Sequence, residues 1–152
     1  MITDVAKALT AALIVAGYPA ERRYLPRRKL EHYSTLRVTV IARGDDLDLT
    51  DGNRAARLRT YTIDVAYQQR LIATEANSAA EEAELDAHEA AVGAIMDALD
   101  PVNQSTVGGA QIVGLNRYAS DEAPYSTKHL AEMRLYTAVV KVTLEEYREP
   151  AS

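Results

Sequence analysis

From Thr60 to Leu71 the chain changes chemistry residue by residue. Tyr61, Ile63, Val65 and Tyr67 are aromatic or β-branched, while Thr60, Thr62, Asp64, Gln68 and Arg70 hold positions between them. A period of two sends successive side chains to opposite faces, so the stretch is a strand with one packed face and one polar face. At ~3.3 Å per residue it would run ~40 Å, against ~17–20 Å for an ordinary strand, so one end is expected to overhang its sheet. We place that overhang at Gln68–Leu71, where Gln68, Gln69 and Arg70 would meet a neighbour.

The rest of the chain supplies partners for this strand. Leu36–Arg43 alternates in the same way, with Leu36, Val38, Val40 and Ala42 opposed to Arg37, Thr39, Ile41 and Arg43. Arg134–Tyr147 does so again, with Tyr136, Ala138, Val140, Val142 and Leu144 on one face. Gln111–Tyr118 is a weaker strand, because Gly114 and Asn116 interrupt its pattern, and Glu21–Leu25 is a brief edge strand closed by Pro26. Two longer segments are helical. Ile2–Ala16 carries one apolar stripe, with Thr3 as N-cap and Gly17 as stop, and Ser78-Ala-Ala-Glu81 opens a helix that runs to Asp100-Pro101. Arg27–Tyr33 reads as one or two helical turns. Between the second and third strands lies Gly44–Arg59. In it Leu47 and Leu49 alternate with Asp46, Asp48 and Thr50, and Asp51-Gly52 is a hairpin dipeptide. This segment is either a projecting β-arm, with Asp46 facing Arg57, or a mobile loop.

This order of elements makes one α+β domain: a twisted, mainly antiparallel sheet of four or five strands, with two main helices on its hydrophobic face. The 152 residues suit a single core. No apolar run is long enough to span a membrane, and Asp4 and Lys7 argue against reading the first segment as a signal peptide. Absence of cysteine removes disulfides and thiolate chemistry and fits assembly in a reducing cytoplasm. The chain has nine tyrosines but neither Phe nor Trp, so every aromatic ring brings a hydroxyl that needs a partner when buried.

Charge is unevenly spread. Between Ala20 and Thr60 ten basic residues face six acids, whereas Glu75–Asp100 holds eight acids and no Lys or Arg. The two blocks could meet within one fold or across copies. The net charge of -5 argues against a surface devoted to nucleic acid. Arg22, Arg23, Arg27, Arg28 and Lys29, flanked by Tyr24 and Tyr33, could still touch phosphates, although a solvated or ion-paired surface is the better account of them.

Reaction chemistry is hard to find. Asp46-Leu-Asp48-Leu-Thr50-Asp51-Gly52 has the flavour of a calcium loop, but its glycine comes one place late and Arg57 stands where a bidentate Glu belongs. His32, His88 and His129 lack zinc-ligand spacing, and His88 reads as a boundary residue of its helix. Asp64 is the one tempting catalytic carboxylate. A nuclease would pair it with another carboxylate and a Lys such as Lys141, which no spacing in the sequence supports, and an ion pair with a neighbouring Arg is the simpler expectation. No catalytic residue, metal or cofactor is therefore assigned.

Several phrases together resemble the tail terminator, or tail completion, proteins in the neck of tailed bacteriophages. They are the opening helix, Arg23-Tyr24-x-Pro26, Leu36-Arg37-Val38-Thr39-Val40, Tyr61-x-Ile63-Asp64-Val65-Ala66-x-Gln68-x-x-Leu71, the Glu- and Ala-rich helix, and His129-Leu130-x-Glu132-Met133-Arg134 before the closing strand. The resemblance covers nearly the whole chain. It implies a non-enzymatic virion protein, assembled in the host cytoplasm, whose copies form a ring, typically a hexamer. Such a ring caps the tail tube protein and offers a surface to the head–tail connector or head-closure protein, and DNA passes through its lumen unread. A head-closure or other neck protein is a close alternative within the same class. A nucleic-acid-acting enzyme or adaptor using Asp64 and the Arg22–Lys29 cluster is the alternative from another class, and a regulatory or toxin-type module is a third. On the ring reading, Arg22, Arg23, Arg27, Arg28, Lys29, Asp46, Asp48, Arg57, Gln68, Gln69 and Arg70 are the expected contact residues.

Overall fold

The computed structural model describes residues 1–24, 30–48, 57–101, 106–118 and 125–148. The chain runs α1 (Ile2–Val15), β1 (Ala20–Arg22), a 3₁₀ turn (Leu30–Ser34), β2 (Arg37–Asp48), β3 (Arg57–Arg70), α2 (Ala79–Leu99), β4 (Gln111–Tyr118), α3 (Thr127–Met133) and β5 (Leu135–Arg148). It is an α+β fold, with one sheet in the order β1-β2-β3-β5-β4. Every pairing is antiparallel except that of β1 with β2, which is parallel.

The organising strand lies at the centre. Its odd residues Tyr61, Ile63, Val65 and Tyr67 join Val38 and Val40 of β2, and the even residues from Tyr136 to Leu144 of β5, in one core. Helix α1 brings Val5, Ala6, Leu9 and Leu13 to that face, and α2 brings Val92, Ile95 and Leu99. These spacings put each helix's apolar residues on one stripe, which burial against the sheet requires. Both main helices thus pack on the hydrophobic face, as expected.

Local chemistry sets the ends. Helix α2 starts at Ser78, whose Oγ accepts from the Glu81 backbone N–H at 3.2 Å. Helix α1 is capped by Met1 without a side-chain hydrogen bond, so Thr3 lies inside the helix rather than at its N-cap. The far end of α1 closes in a Schellman pattern. Gly17 adopts φ +99°, its N–H reaches Ile14 O, and the Tyr18 N–H reaches Leu13 O. Helix α3 was not anticipated. Ser126 caps it by accepting from the His129 N–H at 3.2 Å, and Arg134 ends it in the left-handed region at φ 49°.

The largest departure from expectation concerns the overhang. Strand β3 is paired with β5 over its whole length, Arg57 with Arg148 through Arg70 with Leu135, and Gln68 is paired with Arg37 of β2 as well, so only Gln69 and Arg70 extend past β2. Gln68 is buried and donates to Thr137 Oγ1 at 3.3 Å. The strands instead run past the core at their opposite end, and do so together. Strand β2 continues to Asp48 opposite Leu58, and β5 to Arg148 opposite Arg57. Of the two readings of Gly44–Arg59, the extended arm therefore holds through Asp48 and again from Arg57, while residues 49–56 lie outside the description. Within the arm, Asp46 is registered with Thr60, not Arg57, and the ion pair is Asp45 with Arg59, Nε to Oδ1 at 2.8 Å. A bulge in β2 between Ala42 and Gly44 moves the register by one residue, so Asp46 meets Thr60 where an unbroken ladder from Ala42–Ile63 would bring it to Arg59.

Candidate functional site

The sheet face away from α1 and α2 carries the even residues of β3, and its covering is incomplete. At the Gln68–Thr137 end, the 3₁₀ turn is tied down by Arg37 Nε donating to His32 O at 3.0 Å, and α3 by His129 Nδ1 lying 2.8 Å from Thr137 Oγ1. Nearer the arm the face opens into a trough of about 560 Å³ lined by Arg43, Thr62, Asp64, Asn116 and Lys141.

Two bulges shape this trough. One interrupts β2 between Ala42 and Gly44, the other β4 between Ile112 and Gly114, so both strands that flank the central pair break register at the same level. The resulting cross-strand row reads Gly44, Thr62, Thr143, Gly114. Of this row Thr62 lines the trough, and neither glycine carries a side chain beside its threonine. The next row on the same face reads Ile41, Asp64, Lys141, Asn116.

Asp64 is placed as the simpler expectation had it. Its Oδ2 accepts from Arg43 Nε at 2.8 Å, with the carboxylate side chain 5% exposed and the guanidinium side chain 46% exposed. A carboxylate that close to dry must keep its cation, so Arg43 serves first as its counter-charge. Lys141 does stand directly opposite Asp64 in the ladder. That neighbourhood comes from pairing across strands far apart in sequence, so no spacing could have announced it. Lys141 is exposed and makes no ion pair among the described residues. Those residues also contain no group of three His, Cys, Asp or Glu side chains placed to hold a metal ion.

A second polar constellation lies between α2 and the sheet. Glu89 Oε1 accepts from Arg117 at 2.7 Å and from the Tyr136 hydroxyl at 2.5 Å, and Arg117 also donates to that hydroxyl at 2.9 Å. Burial alone would push the Glu89 carboxyl up, but the Arg117 and Tyr136 donors outweigh it and hold the group below its ordinary range. One residue back, His88 is buried, stacks on Tyr136 at 4.9 Å and meets the Tyr67 hydroxyl through Nδ1 at 2.8 Å. Burial lowers its pKa, with the Glu84 carboxylate pulling weakly the other way. Glu84 itself accepts the backbone N–H groups of Ile72 and Ala73 at 2.7 and 2.9 Å. Arg134 completes the clasp by donating to Ala73 O and Glu81 Oε2. His88 is therefore part of a buried network rather than a boundary residue, and the hydroxyls of the buried Tyr61, Tyr67 and Tyr136 have partners within the fold.

Among the described residues, Glu89 and Glu81 of the acidic helix pair with Arg117 and Arg134 of its own chain, both outside the basic block. Within that block Arg23 pairs with Glu21 at 2.9 Å, Arg59 with Asp45, and Arg43 with Asp64. Arg22 lies over the exposed Tyr24 ring at 5.2 Å. Arg27, Arg28 and Lys29 lie outside the described residues, and for Arg57 the description covers the backbone alone. Asp46, Asp48 and Arg70 are exposed. Asp46 makes no ion pair or hydrogen bond among the described residues.

The trough is the feature the sequence did not disclose. Its signals were Gly44 and Gly114, which spoil the alternation of their strands, but only the register puts them in one row. Searches with the sequence match no family model and no curated protein. Among the described residues, no helix is long and apolar enough to cross a membrane.

Proposed function

We propose that this chain is a ring-forming structural protein of the neck of a tailed bacteriophage, a tail terminator that joins tail tube to head connector. One observation carries the reading. Strands β2, β3 and β5 overrun the helix-covered core together, as an arm that exposes Leu47 (44%) and Tyr147 (73%). Beside it, the outer edge of β2 beyond Val40 has no strand neighbour among the described residues, and neither has the outer edge of β4. Unpaired edges on opposite sides of one sheet favour head-to-tail association, the kind that closes a ring when the rotation per copy divides a full turn. On this reading the copies form a ring, typically a hexamer. The ring seats on the tail tube protein and presents its other side to the connector or head-closure protein, and DNA traverses the lumen without being read. It would assemble in the host cytoplasm and remain in the virion.

Negative-stain imaging and light scattering of the purified chain test the proposal. Rings that bind or cap tail tubes support it, and a chain that stays monomeric at high concentration and ignores tubes rejects it. A nucleic-acid-acting enzyme is favoured by one observation, the placement of Lys141 opposite Asp64 on an open trough. Metal-dependent cleavage lost in Asp64→Ala would establish that alternative.

A further inference from the structure

Arg43 is the residue that the bulge adds to β2. In the ladder Ala42 stands opposite Ile63 and Gly44 opposite Thr62, which leaves Arg43 between them with no opposite residue of its own. Its side chain crosses to Asp64, where Nε donates to Oδ2 at 2.8 Å. A nearly dry carboxylate thus holds the guanidinium by one edge, while its two Nη groups make no hydrogen bond among the described residues.

Lys141 adds a second cation at the same level. It is registered directly opposite Asp64, yet it is exposed and makes no ion pair among the described residues, Arg43 being the cation that answers the carboxylate. Asn116 and Thr62 line the same trough, and their side chains likewise make no hydrogen bond among the described residues. Two cations against one carboxylate leave the lining with one positive charge in excess, and every lining side chain except Asp64 offers N–H or O–H donors.

That donor set selects a class of ligand. A carboxylate would bring two oxygens to it, whereas a phosphate ester brings three and more charge. The volume of about 560 Å³ exceeds what a lone phosphate group fills and falls in the range of sites for small organic ligands. Charge also confines the site. Two rows toward the arm, the same face carries Asp46 and Glu145 on either side of Thr60, which repel an anion, and the row on the other side, Thr39, Ala66 and Val139, is uncharged.

We infer that the trough is a binding site for a phosphate ester, with the Nη groups of Arg43 and the Lys141 ammonium on the phosphate oxygens and Asn116 and Thr62 as neutral donors. A mononucleotide and a nucleic-acid strand both present this group. The site lies within one chain and does not depend on the ring reading.

The test is a heteronuclear NMR titration of the full chain with inorganic phosphate, adenosine monophosphate, adenosine and a single-stranded DNA oligonucleotide, with thermal melts to confirm that each variant folds. Adenosine monophosphate should shift the resonances of Arg43, Thr62, Asn116 and Lys141, and adenosine should not. Lys141→Gln, a change at an exposed side chain, should weaken binding about tenfold, and Lys141→Arg should keep it within about threefold. Saturable shifts with the mononucleotide identify a small-molecule ester as the ligand. Shifts at the same residues with the oligonucleotide alone, fading as salt rises, identify strand phosphates instead. Absence of shifts at these residues with every phosphate probe overturns the site, as do shifts undiminished in Lys141→Gln or equal shifts with adenosine.

Discussion

The Tyr67 hydroxyl lies 2.8 Å from Nδ1 of His88, a hydrogen bond whose direction goes with the tautomer of the imidazole. With the hydroxyl donating, Nδ1 is the acceptor and the proton sits on Nε2. That atom is buried without a hydrogen bond, and Glu84 Oε1 at 3.8 Å is too far for one but near enough to attract it. Tyr136 stacks against the other face of the ring and sends its own hydroxyl to Glu89. One helical turn of α2 thus reaches the two central strands through polar groups placed among apolar ones.

Acid should loosen this contact. Burial lowers the folded pKa of His88, and burial together with Lys128 lowers that of His129, so below pH 6.5 the unfolded chain takes up protons that the folded chain resists. Their stabilising contribution is complete above pH 6.5 and declines as pH falls from there toward the lowered folded values. Melting temperatures measured from pH 7.5 to 5.5 should therefore fall, and His88→Gln, which can still accept from Tyr67, should flatten part of the slope. An unchanged slope in that variant would show that His88 does not titrate as described.

Alkali acts through the tyrosines. Burial pushes the Tyr67 hydroxyl up to about 12 and, with the Glu89 hydrogen bond, raises Tyr136 further. Both contribute stability that is fully present below pH 10 and is lost as pH rises from 10 through the folded values. A spectrophotometric tyrosinate titration should show at least two rings that ionise late, and in Tyr67→Phe one of them should disappear. Early ionisation of all nine tyrosines in the folded chain would contradict the burial.

Arg117→Ala should cost about 1–3 kcal/mol in urea unfolding, because it leaves the partly buried Glu89 carboxylate with the Tyr136 hydroxyl alone. Arg117→Ala combined with Glu89→Gln should recover part of that loss, since no unpaired charge then remains. A double variant no more stable than the single would deny the coupling between the two groups.

The Arg43–Asp64 pair gives an asymmetric prediction. Arg43→Ala removes the Arg43 hydrogen bond and counter-charge from a nearly buried carboxylate and should cost about 1–3 kcal/mol, whereas Asp64→Asn keeps the shape of the site and leaves a half-exposed cation, which should cost about 1 kcal/mol or less. Equal losses in the two variants would mean that Asp64 is less dry than its burial indicates.

Gly108 offers a purely steric test. It turns the Val107–Ala110 hairpin at φ +58°, and a Cβ there would meet the Val5 Cα at 3.1 Å and the Ala8 Cβ at 3.2 Å on α1. Gly108→Ala should lower stability by about 1–2 kcal/mol, while Gly93→Ala, in open space on α2, should raise it by about 0.4–1 kcal/mol. Thermal melts of the two variants moving in the same direction would refute the packing of that turn on α1.

What the sequence disclosed, and what it withheld, follow from the range of the interactions involved. Alternation in β3 and β5 announced both strands and their core faces, because the pleat imposes a period of two whatever the partner is. Ser78 and Glu81 announced the start of α2, and Gly17 the end of α1, because capping is local. Helix α3 left a fainter local trace, Ser126 before a seven-residue stretch with Leu130 and Met133 three apart. Register left none. Gln68 looked like an overhang because the alternating run is longer than an ordinary strand, yet β5 is as long and its Thr137 receives Gln68 inside the sheet. Asp46 looked like a partner for Arg57 because a two-residue turn at Asp51-Gly52 implies that register, whereas the ladder sets Asp46 opposite Thr60. The trough combines both failures, since it exists only where two bulges on different strands fall at one level.

The neighbours of β3 arrive at very different times. Strand β2 immediately precedes it, but β5, which covers its other side from Arg57 to Arg70, comes only after α2, β4 and α3. Until that last strand is in place, one whole side of the central ladder has no partner, and the core face formed by Tyr136 to Leu144 is missing. Pairings so distant in sequence close slowly, on a scale of roughly milliseconds to seconds for comparable sheets. A nascent or truncated chain lacking Leu135–Arg148 would therefore carry a long open edge at its centre, poised to take the corresponding strand from another copy instead of its own.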